Sequence, residues 1–279
     1  MNLETLNNYL KRISWQYSNP TPDLATLILL QKQHTHHISF ENLNPFLGIP
    51  VKLDTYSLQR KFLQDHRGGY CFEHSLFFKQ ILEAIGFRVK GAIGRVWRNN
   101  AIEESPQNPR THMILIVDID NTLFHVDVGF GGLVPTQPLL LKSNSVQKTT
   151  HEDYKFIQDK DEFTLLALVE NQWRVLYTFN LTPQYFPDFE MTNWFTATHP
   201  KSLFINHLIV VKRCNNGHYA LKDNRLTTYN FNKDPERKYF VSSTEIKEVL
   251  QDIFALPLYN LPGLDEKLTQ IIHQEHHKL

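Results

Sequence analysis

Apolar positions in the first third of the chain recur at helical spacing. Leu3, Leu6, Leu10 and Ile13 line one face of a predicted helix. Thr21-Pro22-Asp23 sets proline and an acid at a helix start that leads into 24–30. Asp54 is placed to cap a helix through Leu58, Phe62 and Leu63. A fourth helix is predicted from about 71 to 85, with Phe72, Phe77, Ile81, Leu82 and Ile85 on its buried side and Gly86 as its stop. The pattern then becomes strand-like over 89–97, 113–118, 123–129, 163–169 and 173–179, with turn residues such as Asp120-Asn121 and Glu170-Asn171 between runs. Antiparallel hairpins are the economical arrangement and predict a barrel or curled sheet. Further strands are predicted over 204–213, 218–221 and 226–231. Ser242-Ser243-Thr244-Glu245 then fits a capping box opening a helix through Phe254. No internal repeat or low-complexity stretch is present.

Composition narrows the classes. The chain has 279 residues, 41% hydrophobic and 21% charged, the usage of a folded globular protein. Lys+Arg and Asp+Glu are both 29, so a general nucleic-acid binder, which needs a basic surplus, is not expected. A local basic pocket for one phosphorylated small molecule stays open. The two cysteines, Cys71 and Cys214, cannot make a disulfide scaffold, so a reducing compartment is expected. The opening residues show no basic region followed by an apolar core, and the aliphatic run over 113–117 is far too short to span a bilayer. These features predict a soluble cytoplasmic protein with no membrane partner.

Candidate chemistry concentrates in Arg67-Gly68-Gly69-Tyr70-Cys71-Phe72-Glu73. A cysteine that follows two glycines and opens a helix meets unpaired N–H groups, which favour a thiolate; the glycines are expected to let the backbone turn sharply. The plainer alternative is a small buried apolar residue. A thiolate nucleophile needs a base, and the base needs an orienting group. The runs 111–117 and 123–128 read as two arms of one hairpin. A turn at 119–120 puts His112 directly opposite Asp127; a turn at 120–121 makes them diagonal neighbours on the same face. A three-residue loop would put them on opposite faces. Ile114 and Ile116 share the face of His112 and predict that it is covered, where an Asp needs a partner. His125 has the same parity and is a rival, ranked second because it lies nearer the hairpin tip and its solvent. Gly129-Phe130-Gly131-Gly132 follows Asp127 as a backbone loop able to cradle a phosphate, or simply a sharp turn. His34-Thr35-His36-His37 and the tail set His273, His276 and His277 are read as solvated or frayed histidines, and no metal is expected. Cys214 lies near a turn with no helix start to activate it.

At these residues the chain resembles the arylamine N-acetyltransferase family. The segment 67–73 resembles the family's nucleophile signature. Pro109-Arg110-Thr111-His112-Met113 and Val126-Asp127-Val128-Gly129-Phe130-Gly131-Gly132 resemble its histidine and aspartate segments. Ile38-Ser39-Phe40-Glu41-Asn42-Leu43 and Asn193-Trp194-Phe195-Thr196-Ala197-Thr198-His199-Pro200, followed by Ser202 and Phe204, extend the likeness over nearly the whole chain. Ser39, and His74-Ser75 in place of Gln-Asn, depart from the family's usual residues around the nucleophile. The resemblance implies an α+β fold with a cysteine-protease-like core: an N-terminal helical bundle (1–86) carrying Cys71, a central antiparallel β-barrel (87–190) carrying His112 and Asp127, and a C-terminal α/β lid (191–279). It implies acetyl-CoA as co-substrate and an arylamine, arylhydrazine or N-hydroxyarylamine as acceptor. Thr111, Phe130 and Gly131 then lie near CoA, and Phe40, Phe130 and Phe204 offer aromatic walls, unless they are ordinary core. Arg67 and Glu41 are expected to pair structurally, and Glu73 to be structural.

Two other functions use the same residues. A cysteine hydrolase or transglutaminase-like enzyme would apply the triad to an amide, and a silent scaffold would keep the fold with an ordinary Cys71 thiol.

Overall fold

The computed structural model describes residues 2–97, 108–231 and 233–276. Its first part is helical: α1 (Leu3–Arg12), α2 (Leu24–His37), a short strand β1 (Phe40–Glu41), α3 (Leu43–Phe46), α4 (Thr55–Gln59) continuing through a π-helical turn (Arg60–Gln64), and α5 (Cys71–Ile85). Asn2, Asp23 and Asp54 cap α1, α2 and α4 by accepting the N–H groups of Thr5, Thr26 and Ser57. Gly86 ends α5 at φ 109°, a conformation that favours glycine.

The strands that follow are β2 (Arg88–Val96), β3 (Arg110–Ile119), β4 (Thr122–Val126), β5 (Leu139–Leu140), β6 (Gln147–Lys148), β7 (Asp153–Asp159), β8 (Glu162–Val169) and β9 (Gln172–Asn180). They form an antiparallel sheet in the order β5-β4-β3-β2-β9-β8-β7-β6 that curls into a nearly closed barrel. The β3–β4 turn is Asp120-Asn121, both at positive φ, as a two-residue hairpin turn requires. The 120–121 register is therefore the one adopted: Leu115 pairs with Val126 and Ile119 with Thr122.

The C-terminal part holds α6 (Phe186–Thr198), α7 (Leu203–Asn206), β10 (Ile209–Cys214), β11 (Gly217–Lys222), β12 (Arg225–Asn230), β13 (Glu236–Tyr239), α8 (Ser243–Asp252) and α9 (Leu264–His276). Its sheet runs β1-β10-β11-β12-β13, so the N-terminal β1 forms one edge through Phe40↔Val211. Ser242 and Glu245 make the expected capping box at α8. The strand predicted from 204 begins only at Ile209. Ser202 accepts the N–H of Phe204 and turns 203–206 into a helical turn instead. The α6 helix lacks a legible period because Phe186, Met191 and Trp194 are exposed.

Strand β3 faces two cores at once. Met113, Leu115 and Val117 join the helical core with Leu27, Leu30, Phe72 and Phe77. Ile114 and Ile116 point into the barrel with Leu165 and Phe179. The face shared with His112 is therefore covered, as the alternation predicts. A third core joins Leu43 and Phe46 to β10–β12, α8 and α9.

Candidate active site

The nucleophile turn is built from close backbone approaches. Gly68 and Gly69 are not among the positive-φ residues; they serve here not as the expected sharp-turn formers but by leaving space. A Cβ on Gly68 would lie 1.8 Å from the Ser39 carbonyl oxygen, and one on Gly69 2.7 Å from a Glu73 carboxylate oxygen. The Glu41 N–H donates to Gly69 O at 2.7 Å, tying the turn to β1. Arg67 donates to Glu41 at 2.6 Å in a buried pair. Burial alone would raise the Glu41 carboxyl, but Arg67 and Lys61 hold it at about 2. Glu73 accepts Tyr70 N–H at 3.1 Å and pairs with Lys61 at 2.6 Å. Both acids are consumed structurally. This leaves Cys71 at the first position of α5, 3% exposed, with its sulfur 3.6 Å from Thr111 O.

The hairpin delivers the other two groups. His112 Nε2 lies 2.7 Å from Asp127 Oδ2. Asp127 Oδ1 accepts Gly129 N–H at 2.8 Å, and Oδ2 also accepts the Tyr177 hydroxyl at 2.7 Å. Pairing between β2 and β3 slips at Gly94/Arg95, so Thr111 is an extra residue beside His112. Such a bulge re-aims the neighbouring side chain. Gly129 carries the aspartate loop against the helix start: a Cβ there would lie 2.7 Å from Cys71 Cα. With Nε2 engaged by Asp127, the other ring nitrogen is left for Cys71. Burial alone would lower the pKa of His112. The Asp127 charge and hydrogen bond, with contact to Cys71, lift it to about 10. Burial likewise pushes Asp127 up, and His112 pulls it below its ordinary value. The geometry is a hydrogen-bonded imidazole–carboxylate pair beside a cysteine, groups that together can support nucleophilic acyl transfer.

His125 does not meet solvent, contrary to expectation. It is fully buried in the barrel, where its Nε2 bonds Tyr177 Oη at 2.7 Å. Tyr177, supplied by β9, is the site residue that sequence pattern missed. Nothing in its own strand distinguishes it from a core aromatic.

An N-acetyltransferase family model matches residues 23–261. An arylamine N-acetyltransferase of Mycolicibacterium smegmatis is 36% identical over 263 residues, 93% of this chain and 94% of the relative. The arylamine N-acetyltransferase of Escherichia coli (strain K12) is 33% identical, covering 90% and 88%. The chain belongs to the arylamine N-acetyltransferase family. It is an acetyltransferase by that membership. Among solved structures, M. smegmatis arylamine N-acetyltransferase superposes with a TM-score of 0.91 at 34% identity, covering 98% of this chain and 99% of that one. Mycobacterium marinum arylamine N-acetyltransferase in complex with CoA gives 0.90 at 32% identity, covering 95% and 99%.

Ser39 and His74 belong to a second buried chain of hydrogen bonds. Ser39 O can only accept, so His74 Nε2 donates to it at 3.2 Å. A neutral His74 then accepts at Nδ1 from His34 Nε2 at 2.8 Å, and His34 accepts at Nδ1 from the Tyr9 hydroxyl at 3.1 Å. Burial holds both rings neutral, His74 at about 4 and His34 well below its usual value. Ser39 Oγ reaches Phe254 O at 2.7 Å, and Ser75 Oγ reaches Met113 O at 2.9 Å. His34 is thus not solvated, contrary to expectation; it belongs to the core of the bundle.

Phe40 and Phe204 stand 5.9 Å apart, with Tyr70 5.5 Å from Phe204. Asn42 fixes that wall by donating to Phe204 O and His207 O and accepting Ile209 N–H, each at 2.7 Å. Phe130 packs 5.0 Å from the His112 ring and 5.0 Å from Tyr177. Gly131 adopts φ 87° beside Val211. No group of three or more metal-ligating side chains occurs among the described residues. His273 is exposed; His277, and the side chain of His276, lie outside the described residues. No helix among them is long and apolar enough to cross a membrane.

Proposed function

We propose that this enzyme moves an acetyl group from acetyl-CoA to the nitrogen of an arylamine, arylhydrazine or N-hydroxyarylamine by a ping-pong route through an acetyl-Cys71 thioester. The observation that carries this reading is the 2.7 Å His112–Asp127 bond facing a cysteine at a helix start. His112 takes the Cys71 proton, and Asp127 stabilises the imidazolium. The sulfur attacks the thioester carbonyl; one C–S bond forms, the other breaks, and His112 returns the proton to the departing CoA sulfur. One thioester replaces another, so this half-reaction is close to thermoneutral. The arylamine is neutral near pH 7 and keeps its lone pair. It attacks the acetyl-Cys71 carbonyl, His112 accepts its proton, and Cys71 leaves as an amide forms. The amide is more stable than the thioester and draws the reaction forward.

The residues present suit a CoA thioester. Thr111, beside His112 at the β2–β3 irregularity, and Phe130, 5.0 Å from the His112 ring, with its neighbour Gly131, would meet the CoA thioester. Phe40, Phe130 and Phe204 would face a flat acceptor. The free cysteines Cys71 and Cys214 fit a reducing cytoplasm. Intact-mass measurement after mixing with acetyl-CoA is expected to show one acetyl adduct on the wild type and none on Cys71→Ala, discharged by arylamines or hydrazines. An adduct that survives Cys71→Ala, or one that water removes as fast as amines do, overturns the reading.

A further inference from the structure

His125 sits inside the barrel with 0% exposure, its ring 5.5 Å from Phe156 and 5.6 Å from Phe179. Its one polar side-chain partner is Tyr177 Oη, 2.7 Å away. Proton accounting orders this contact. The Asp127 carboxylate only accepts, so the single Tyr177 proton goes to Oδ2. The phenol oxygen must then accept from His125 Nε2–H. A neutral ring protonated at Nε2 leaves Nδ1 as a bare acceptor, and Nδ1 is buried with no hydrogen-bond partner among the described residues. Burial keeps the ring neutral, at about 4.

This histidine costs stability where it stands. It buries a polar ring among phenylalanines and leaves one nitrogen unpaired, whereas a phenylalanine there would do neither. What it supplies is one hydrogen bond to Tyr177. A hydroxyl that accepts such a bond becomes a stronger donor to its own acceptor. We infer that His125 is a positioning residue for acetyl transfer: through Tyr177 it holds the Asp127 carboxylate in the orientation that keeps His112 ready opposite Cys71. The inference rests on the Cys71–His112–Asp127 reading above.

The test compares wild type, His125→Phe, Tyr177→Phe and the double variant. For each, the rate of Cys71 alkylation by iodoacetamide at pH 6 is followed by peptide mapping, with Cys214 as internal reference, and a urea midpoint is measured. His125→Phe is expected to slow Cys71 alkylation by about 3- to 10-fold, the worth of one ordinary hydrogen bond. Its urea midpoint is expected to hold or rise. In the Tyr177→Phe background, His125→Phe should produce no further slowing. Slowing matched by a lower midpoint, or slowing that persists without Tyr177, assigns His125 to packing and overturns the inference. A fast wild type with an equally fast His125→Phe overturns the His125 role alone. A wild type whose Cys71 reacts no faster than Cys214 overturns the triad reading and this inference with it. Should His125→Phe not fold, the 15N spectrum of histidine-labelled wild type decides. Protonation of His125 at Nε2 supports the chain, and protonation at Nδ1 overturns it.

Discussion

Two buried chains of histidine hydrogen bonds meet helix α5, and they hold charge differently. His74, one turn beyond Cys71, bonds His34 and a backbone carbonyl; both rings are neutral. His112, equally buried, is lifted to about 10. Burial acts in the same direction on all three. What differs is a carboxylate in direct contact, present for His112 and absent for His34 and His74. His125 makes the point within one network: a tyrosine stands between it and Asp127, and it stays neutral at about 4. Among these histidines, the charged form is favoured only where an acid is buried against the ring.

The largest expected effect removes that distinction. Asp127→Asn keeps the shape and discards the charge, so His112 should become another His74. Single-turnover acetylation of Cys71, read by intact mass, is expected to fall about 10³-fold or more. A fall below tenfold would break the comparison.

The pH dependence of stability sharpens it. An unfolded histidine titrates near 6.5, and folded His74 near 4. Between those values the unfolded chain binds more protons, so the contribution of His74 is present above pH 6.5 and is lost as pH falls towards 4. It amounts to about 3 kcal/mol. His112 runs the other way. Its folded value of about 10 means that its contribution is full below pH 6.5 and is lost as pH rises through 10. Urea denaturation across this range should show losses on both limbs. His74→Gln should shrink the acid limb by that amount and leave the alkaline limb alone. An unchanged acid limb would mean that His74 carries charge in the folded state.

The smallest effect tests the proton order of the neutral chain. Tyr9→Phe removes the donor to His34 Nδ1 and is expected to cost about 1 kcal/mol, with Cys71 acetylation unaltered. A coupled loss of acetylation would show that the two chains are not independent.

The local elements of the site were legible. Gly86 closes α5, Asp120-Asn121 turns the β3–β4 hairpin, and alternation puts His112 and Asp127 on one covered face. These rest on contacts between near neighbours in sequence. The resemblance over 67–73, 109–113 and 126–132 named the three groups as a set. What pattern misread had a distant cause. Pattern puts His125 near a wet hairpin tip, but the closing barrel covers it with Phe156 and Phe179. Pattern puts His34 in solvent, but it meets His74 across forty positions of chain. Local pattern makes turn formers of Gly68 and Gly69, whereas the packing shows that they make room for the Ser39 carbonyl and the Glu73 side chain.

Residue order by itself determined the caps of several helices, a hairpin narrowed to two registers and the shared face of imidazole and carboxylate, because backbone periodicity and turn stereochemistry act over a few residues. Only the tertiary structure decided which histidine is charged, which tyrosine steadies the aspartate and why the glycines are indispensable. Each of these depends on desolvation and on atoms brought together from segments far apart along the chain.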